Sequence, residues 1–213
     1  MDHCSITMGR YATCVPPSPQ GPRVRTPSLD VTDSLIEAAL SILEHEGIAA
    51  LTVRSVASKA GVAPMGVYSR FGSKDGLLQA LFVHGFETLE RAINPPPADT
   101  PVRRLAEGCI GYRHFAIENP QLYHLMFEQM MLLELSPEAQ STAKRTFEVL
   151  VERVQAAMSA GDLTTASATE VAQQIWSAIH GSVSLEIAGV HFAQDRAANY
   201  SAMLAALLRG LSP

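Results

Sequence analysis

The sequence predicts an all-α protein with a small N-terminal helical domain and a larger C-terminal one. Apolar residues recur at the three- and four-residue spacing of amphipathic helices, and no alternating run of convincing strand length occurs. The 213 residues, of which 47% are hydrophobic, are enough for two modest cores. The proline run at 95–97 would stop a helix, so we place the domains at residues 29–94 and 100–213.

The first 28 residues differ in composition from the rest. They contain five prolines and almost no periodic apolar pattern, which predicts a disordered arm. They lack the apolar segment of a secretory signal, and no apolar run approaches the ~20 residues of a membrane-spanning helix. Cys4, Cys14 and Cys109 form no CxxC pair, so neither disulfides nor zinc are indicated. We therefore expect a cytoplasmic protein.

The first helix is expected to start at Thr32 or Asp33, since either can cap a helix, and to end at Gly47. Its apolar stripe consists of Leu35, Ala39, Ile42 and Leu43. Glu44 and Glu46 lie at its end, where solvation is the ordinary interpretation of paired carboxylates.

Two short helices follow. The first ends at Gly61, which adopts a left-handed cap conformation easily. Its apolar residues, at i, i+3, i+4 and i+7, are Val53, Val56, Ala57 and Ala60. The second begins near Ala63, tolerates Pro64 in its first turn and ends at Gly72. Two helices joined by a tight glycine-containing turn form a helix-turn-helix.

The segment from Thr52 to Lys74 carries only positive charge. It contains Arg54, Lys59, Arg70 and Lys74 but no Asp or Glu, although the formal net charge of the chain is −5. A local basic surface on an acidic chain indicates a polyanionic partner. On a helix-turn-helix, that partner is expected to be DNA.

Further helices are expected up to the end of the chain. Ser73 can cap a fourth helix that continues to Asn94. Helical spacing then begins at Leu105 and ends before Asn119-Pro120, and an irregular Met-rich apolar segment covers residues 122–133. The last three predicted helices lie around residues 147–158, 171–187 and 200–208.

The N-terminal domain contains four characteristic segments in succession: ALSILEHEG, LTVRSVASKAGV, GVYSRF and SKDGLL. In these segments and in their order, residues 31–93 resemble the DNA-binding domain of TetR-family transcriptional regulators. The resemblance implies a homodimer that binds a double-stranded DNA operator. Two positions depart from the family pattern. Ala63-Pro64-Met65 opens the recognition helix where polar residues are common, and Arg70 replaces a frequent His.

The resemblance also assigns DNA-contacting roles. The residues expected to hold phosphates are Thr52, Tyr68, Arg70 and Lys74. Those expected at base edges, mainly through apolar contact, are Ala63, Pro64, Met65 and Ser69. Arg54 and Gly66 complete the predicted set.

The segment IWSAIHGSVSLEIAG, residues 175–189, resembles the penultimate helix of TetR-family ligand domains marked by Trp, His and Gly. Trp176 and His180 stand four residues apart on one helix face, and Gly181 leaves room for a partner helix. The resemblance implies that the C-terminal domain binds a small-molecule effector and forms the dimer. The predicted effector-binding residues are Cys109, Tyr112, Phe115, Tyr123, Met126, Phe127, Met130, Phe147, Trp176 and His180.

Both features of this pocket also have a purely structural interpretation. A Met-rich stripe is more often core than pocket. The Trp176 and His180 pair could be a helix-helix contact in which the imidazole is hydrogen-bonded across it. The sequence leaves both interpretations open.

The last helix carries a wide apolar stripe, formed by Tyr200, Met203, Leu204, Leu207 and Leu208. One short terminal helix cannot easily bury such a stripe inside a small domain. We therefore expect the last two helices to form a four-helix dimer interface with those of a second subunit, which covers part of the stripe.

The sequence contains no recognisable catalytic or metal-binding motif. It has no GxxxxGK[ST] loop, Gly181-Ser182-Val183-Ser184 does not match GxSxG, and the histidines lack metal-ligand spacing. We expect no enzyme and no cofactor, but a repressor released from its operator by a small hydrophobic effector. The alternatives are a constitutive DNA-binding regulator and a helical enzyme or ligand carrier.

Overall fold

The computed structural model describes residues 28–94, 96, 99–129 and 134–213. Within these ranges the protein consists of nine α-helices joined by short connections, and no strand is present. The predicted all-α fold, a helix-turn-helix domain followed by a helical domain, is confirmed. Residues 1–27 of the predicted arm, and Pro95 and Pro97 of the proline run, lie outside the described residues.

Four helices form the N-terminal domain. They are α1 (Ser28–Glu46), α2 (Val53–Lys59), α3 (Pro64–Phe71) and α4 (Lys74–Ala92), with a 3₁₀ turn at Ile48–Ala50 after α1. The observed ends of α2, α3 and α4 lie within two residues of those expected from the sequence.

The predicted start of α1 is wrong. Thr32 and Asp33 lie inside the helix, which begins at Ser28, a residue assigned to the arm. The reason is Val31, which stands four residues before Leu35 and packs on the same core. The apolar stripe of α1 therefore begins one turn earlier than expected.

Five helices form the C-terminal domain. They are α5 (Pro101–Glu118), α6 (Pro120–His124), α7 (Pro137–Ser159), α8 (Ala168–Ile187) and α9 (Arg196–Gly210). A π-helical turn, Leu125–Gln129, continues α6 directly. This wider turn accounts for the irregular spacing of the apolar residues that follow Leu122, because a π turn shifts the register of an α-helix.

Local hydrogen bonds fix the helix-turn-helix. The Thr52 hydroxyl oxygen accepts from the Ser55 backbone N–H at 3.0 Å, and the Ser55 hydroxyl oxygen accepts from the Thr52 N–H at 3.0 Å. At the other end of α2, Gly61 adopts φ 68° and the Val62 N–H donates to the Ala57 carbonyl at 2.9 Å. These caps set the angle at which α3 leaves the turn.

Glu44 in the last turn of α1 binds the start of α6. Its carboxylate accepts from the backbone N–H groups of Leu122 at 2.9 Å and Gln121 at 3.4 Å. The interpretation of Glu44 as a merely solvated residue is therefore wrong. A carboxylate at a helix N-terminus satisfies free N–H groups and interacts favourably with the helix dipole. The contact ties the helix-turn-helix domain to the C-terminal domain.

A buried ion pair joins α5 to α8. Arg113 donates from Nη2 and Nε to the two carboxylate oxygens of Glu186 at 2.6 and 2.9 Å, and the side chains are 13% and 5% exposed. Tyr200 of α9 covers this pair, with its ring centroid 5.8 Å from the Arg113 guanidinium carbon. The Tyr200 hydroxyl donates to the Cys109 carbonyl of α5 at 2.6 Å. These contacts fix three helices of the C-terminal domain together.

Most of the predicted dimer stripe on α9 is buried inside the protomer. Tyr200, Leu204 and Leu208 are only 2%, 3% and 9% exposed, because α5 and α8 cover them. These three residues therefore need no partner to cover them, and their assignment to the dimer interface is wrong. Met203 and Leu207 stay half-buried.

We expect Arg113→Met to lower the free energy of unfolding by about 3–5 kcal/mol, because it leaves the Glu186 carboxylate buried without its partner. The double variant Arg113→Met/Glu186→Leu should recover most of this loss, since neither charge then remains buried. Urea denaturation of the wild type, both single variants and the double variant measures the coupling. Equal losses in the single and double variants would contradict this explanation.

Candidate DNA-binding surface and ligand cavity

The residues predicted to contact DNA lie on α2, on α3 and at the start of α4. All are exposed except Gly66, which is half-buried. Met65 is 72% exposed and Tyr68 is 49% exposed, large values for side chains of their size and apolarity. This surface is available to a partner, and its charged members, Arg54, Arg70 and Lys74, are all basic.

α3 presents these residues because its opposite side is anchored. Val67 is fully buried, and Phe71 packs against the domain core. The N-cap residue Ala63 makes no side-chain hydrogen bond, so tertiary packing rather than a cap must hold the start of α3. The Ser69 hydroxyl donates to the Gly66 carbonyl at 3.0 Å, which leaves the Ser69 oxygen as an acceptor.

The N-terminus of α4 adds backbone donors beside a cation. The Ser73 hydroxyl accepts from the Gly76 N–H at 3.0 Å. The N–H groups of Lys74 and Asp75 have no partner within the helix, as is general for a first helical turn. The exposed Lys74 side chain starts from the same turn. Free N–H groups, the positive end of the helix dipole and an ammonium group together favour a phosphate.

A cavity of about 490 Å³ lies in the C-terminal domain between α4, α5, the π-helical turn, α7 and α8. Its volume is in the range of small-molecule sites, roughly 300–1,000 Å³. The lining is mostly apolar, and its aromatic members are Phe82, Phe86, Tyr112, Phe127, Phe147 and Trp176. Such a wall suits a hydrophobic ligand.

Most of the predicted effector residues lie on this cavity wall. They are Cys109, Tyr112, Met126, Phe127, Phe147, Trp176 and His180. Phe115 is buried but does not line the cavity, so its assignment is wrong; it lies almost a turn beyond Tyr112, the last lining residue of α5. Tyr123 is also absent from the wall, although it binds His180 from α6. Met130 lies outside the described residues.

The imidazole of His180 forms a hydrogen-bonded triangle with the hydroxyl groups of Tyr112 and Tyr123. Its Nδ1 atom lies 2.9 Å from the Tyr112 hydroxyl and 2.7 Å from the Tyr123 hydroxyl, and the two hydroxyls are 3.0 Å apart. Burial lowers the pKa of His180, raises that of Tyr112 and raises that of Tyr123 to about 12. All three groups are therefore neutral at neutral pH. If both phenol protons lie within the triangle, the imidazole proton is on Nε2.

Trp176 and His180 face the cavity and also contact neighbouring helices. Their rings are 5.5 Å apart, and the Phe127 ring lies 6.3 Å from Trp176 and 4.9 Å from His180. Phe147 of α7 lies 6.0 Å from Trp176. The hydrogen bonds of the imidazole across helices, which the structural interpretation expected, are therefore present, and both residues also line the cavity.

Gly181 has open space beside it among the described residues. Apart from its two chain neighbours and its own helix backbone, none of their atoms lies within 4 Å of the position that a Cβ would take. The expected close approach of a partner helix therefore does not occur within the described part of the chain. By contrast, a Cβ at Gly108 or Gly111 would overlap a neighbouring group, so close packing occurs at α5 instead.

Several cavity residues on α4 and α7 were not predicted from the sequence. Phe82 and Phe86 belong to the apolar stripe of α4, which by itself indicates only a core position. Thr146 and Arg153 line the cavity from α7. The sequence does contain a signal for Thr146 and Arg153. Together with Leu150 they follow the spacing i, i+4 and i+7, which places two polar residues on an apolar helix face.

Two family models match the chain. Residues 35–81 match the bacterial regulatory proteins of the tetR family, and residues 105–209 match the tetracyclin repressor-like C-terminal domain. The chain belongs to the TetR family. It is thus a transcriptional regulator of the helix-turn-helix type, and the prediction that it is no enzyme is confirmed by this membership.

Individual proteins agree with this TetR-family assignment. An uncharacterized HTH-type transcriptional regulator of Mycobacterium tuberculosis is 27% identical over 183 residues, which are 84% of this chain and 80% of that protein. A protein of unknown function from Rhodococcus sp. RHA1 has the same fold, with a TM-score of 0.79, 24% identity and coverage of 91% and 100%. The TetR family transcriptional regulator PfmR from Thermus thermophilus aligns with a TM-score of 0.63, 18% identity and coverage of 84% and 99%.

Two features are absent from the described residues of this TetR-family chain. None of its helices there combines the length and the apolarity that crossing a membrane would require. No group of three or more His, Cys, Asp or Glu in that part of the chain is placed to hold a metal ion.

We expect the stability of the protein to fall with acidification, in part through His180. Its pKa is lower in the folded chain than the usual 6.5, so between these two values only the unfolded chain holds the proton. The contribution of neutral His180 to the free energy of unfolding is complete above about pH 6.5. It is lost as the pH falls further, by at most about 1.4 kcal/mol per pH unit. His180→Gln should therefore lose less stability than wild type between about pH 7.5 and 5.5.

Urea denaturation at several pH values measures this difference. His45→Gln is the matched control, because His45 is exposed and its hydrogen bond among the described residues is to the Ser41 carbonyl of its own helix. A His180→Gln variant with the wild-type slope would show that His180 does not titrate as described.

Proposed function

We propose that this TetR-family regulator is a homodimeric repressor that leaves its operator when a small hydrophobic molecule occupies the cavity. One observation carries the proposal: α4 belongs to both functional regions. Its N-cap Ser73 and its first residue Lys74 lie at the DNA-binding surface, and its later turns supply Phe82 and Phe86 to the cavity wall. A ligand that moves the wall therefore acts on the helix that supports α3.

The exposed residues support a division of labour on DNA. Two α3 helices of a dimer would enter successive major grooves about 34 Å apart. Lys74, Arg54, Arg70, Thr52 and Tyr68 would hold phosphates. At the base edges, Met65, Ala63 and Pro64 offer mainly apolar surface, which could contact a thymine methyl group. Ser69 adds a hydroxyl oxygen as a hydrogen-bond acceptor.

The remaining exposed apolar surface supports dimerisation through α8 and the loop after it. Leu185 is 53% exposed, Val190 52% and Phe192 100%, whereas apolar side chains of this size are usually covered. Met203 and Leu207 of α9, the half-buried members of the stripe expected from the sequence, complete the candidate interface. The accessible Gly181 on α8 would also allow close approach of a partner helix.

Glu44 provides a second route from the cavity to DNA. The α6 segment that it binds continues into the π-helical turn, which carries Met126 and Phe127 of the cavity wall. Movement of this wall would reach α1 through the Glu44 carboxylate. The two routes converge on the core beneath α3, and a coupling of about 3 kcal/mol would change DNA occupancy by more than a hundredfold.

The constitutive alternative requires a filled core. The cavity of about 490 Å³ is instead large and apolar, which favours an effector.

The test starts with selection of DNA fragments that the protein binds and a screen for molecules that release them. Binding of these molecules is then followed by the fluorescence emission of Trp176, the only tryptophan. Ala143→Phe, which fills the cavity, should keep DNA binding but lose release; Ser141→Phe, at an exposed position of α7, is the control. Equal release from both variants would refute the effector site.

We expect Lys74→Ala to weaken binding to all DNA sequences alike, because phosphate contacts carry no sequence information. The slope of log affinity against log salt should become shallower by about 0.9 for each phosphate that the variant no longer binds. Lys144→Ala is the control, since Lys144 is an exposed cation on α7 paired with Glu148. A wild-type slope for Lys74→Ala would remove Lys74 from the DNA contacts.

We expect Phe192→Ser to raise the dimer dissociation constant about tenfold or more, because aromatic residues at interface centres contribute most to binding. Sedimentation velocity over a range of concentrations measures it. Met65→Ser is the matched control, since it removes an exposed apolar side chain from the DNA-binding surface. If Phe192→Ser dimerises as strongly as wild type, the interface lies elsewhere.

A further inference from the structure

Arg153 is a buried cation on the wall of an otherwise apolar cavity. It is only 8% exposed. Its Nη1 donates to the Ile93 carbonyl, and its Nη2 donates to the Asn94 side-chain oxygen at 2.8 Å. Both acceptors are neutral. Within the described part of the chain, no carboxylate forms an ion pair with Arg153. Buried charges normally have an opposite charge beside them, so this arrangement needs an explanation.

A second arginine shares the same acceptor. Arg104 of α5 donates from Nη2 to the Asn94 side-chain oxygen at 3.3 Å. Two guanidinium groups thus converge on one neutral oxygen, and burial together with the charge of Arg104 lowers the pKa of Arg153. Glu152 is the carboxylate on the neighbouring surface, and its charge offsets part of this effect, but it is exposed and forms no ion pair with Arg153 among the described residues. The positive charge of this cluster is therefore poorly compensated.

Arg153 also stands between the cavity and solvent. It lines the internal cavity, and it lines a surface pocket of about 410 Å³ that includes Asn94, Thr100 and Arg104. Gly108 makes room for it, because a Cβ there would overlap the Arg153 Nη1 atom. A molecule in the cavity could extend its polar end past Arg153 towards Arg104.

Capping of α4 explains only part of this arrangement. A cation near the C-terminal carbonyls of a helix is stabilising, which accounts for the contact with Ile93. It does not account for a second arginine at the same oxygen, nor for the exposure of Arg153 to an apolar cavity. An anion between the two guanidinium groups would account for both, because arginine binds carboxylate and phosphate oxygens with two parallel hydrogen bonds.

We propose that Arg153 and Arg104 form an anion subsite, so that the cavity takes an amphipathic anion with its apolar chain among the aromatic residues and its charged head at Arg153. This inference rests on the proposed effector function and specifies the class of effector. The anion would compete with the Ile93 carbonyl at the end of α4 for the Arg153 guanidinium. Binding would thereby release the last turn of the helix that joins the two functional regions.

The test compares three probes of equal chain length on the full chain: dodecanoate, dodecyl phosphate and dodecanol. Binding is followed by Trp176 emission and by release of selected DNA. The wild type should bind the anions about tenfold or more tightly than the alcohol. Arg153→Met should remove this preference and keep alcohol binding. Arg104→Gln, which changes an exposed residue and so should fold, should reduce the preference in part.

Arg103→Gln is the matched control, because the neighbouring Arg103 is already paired with Asp99 and Glu107. It should bind all three probes as wild type does. A stronger response to dodecanoate than to dodecyl phosphate indicates a free acid, and the reverse indicates a phosphate-headed molecule; either result supports the subsite.

Two results would overturn the subsite, and they differ in what they say about the proposed function. If dodecanol binds as tightly as the anions and releases DNA, the cavity is an effector site without an anion subsite. The same conclusion follows if both arginine variants keep the wild-type preference. If none of the probes, nor their shorter and longer homologues, changes Trp176 emission or DNA binding, the effector function itself is contradicted.

Discussion

The structure depends on α4, which is buried against both the helix-turn-helix core and the C-terminal domain. One side of this helix, with Leu77 and Leu81, closes the core under the helix-turn-helix, and its later residues Phe82, Phe86 and Leu89 close the C-terminal cavity. A helix that is apolar towards two neighbours cannot move relative to one of them without disturbing the other. The small DNA-reading helices and the ligand cavity are therefore parts of one mechanical unit.

The C-terminal domain uses its polar groups in two different ways. Arg113 and Glu186 are paired and fully bonded, so they specify how α5, α8 and α9 pack. Arg153 has donors but no opposite charge among its observed contacts. The first arrangement is complete without a ligand, whereas the second leaves a buried charge without an opposite charge beside it. This contrast, more than the cavity volume alone, is the reason for proposing a recognition role for Arg153 and a structural role for Arg113.

Most helices could be predicted from the sequence because their signals are local. Thr52, Gly61 and Ser73 mark helix ends through bonds that span three or four residues, and the apolar spacing of α8 identified Trp176 and His180 as neighbours. The failures involve partners distant in sequence. The burial of Leu204 depends on α5 and α8, and no pattern around residue 204 reveals that those helices cover it. The same limit applies to Glu44, whose partners lie 77 and 78 residues away.

That long-range bond of Glu44 has a consequence for modularity. Cutting the chain at the proline run would leave the fragment 28–94 with a carboxylate deprived of its amide partners and with Phe82, Phe86 and Leu89 facing water. We therefore expect the helix-turn-helix domain, although continuous in sequence, to be less stable as an isolated fragment than within the full chain. A chimaera that grafts a different sensor domain onto it must supply a helix start opposite Glu44 and an apolar cover for α4. The boundary between the two domains is therefore the contact surface formed by Glu44 and the later turns of α4, rather than the prolines that mark it in the sequence.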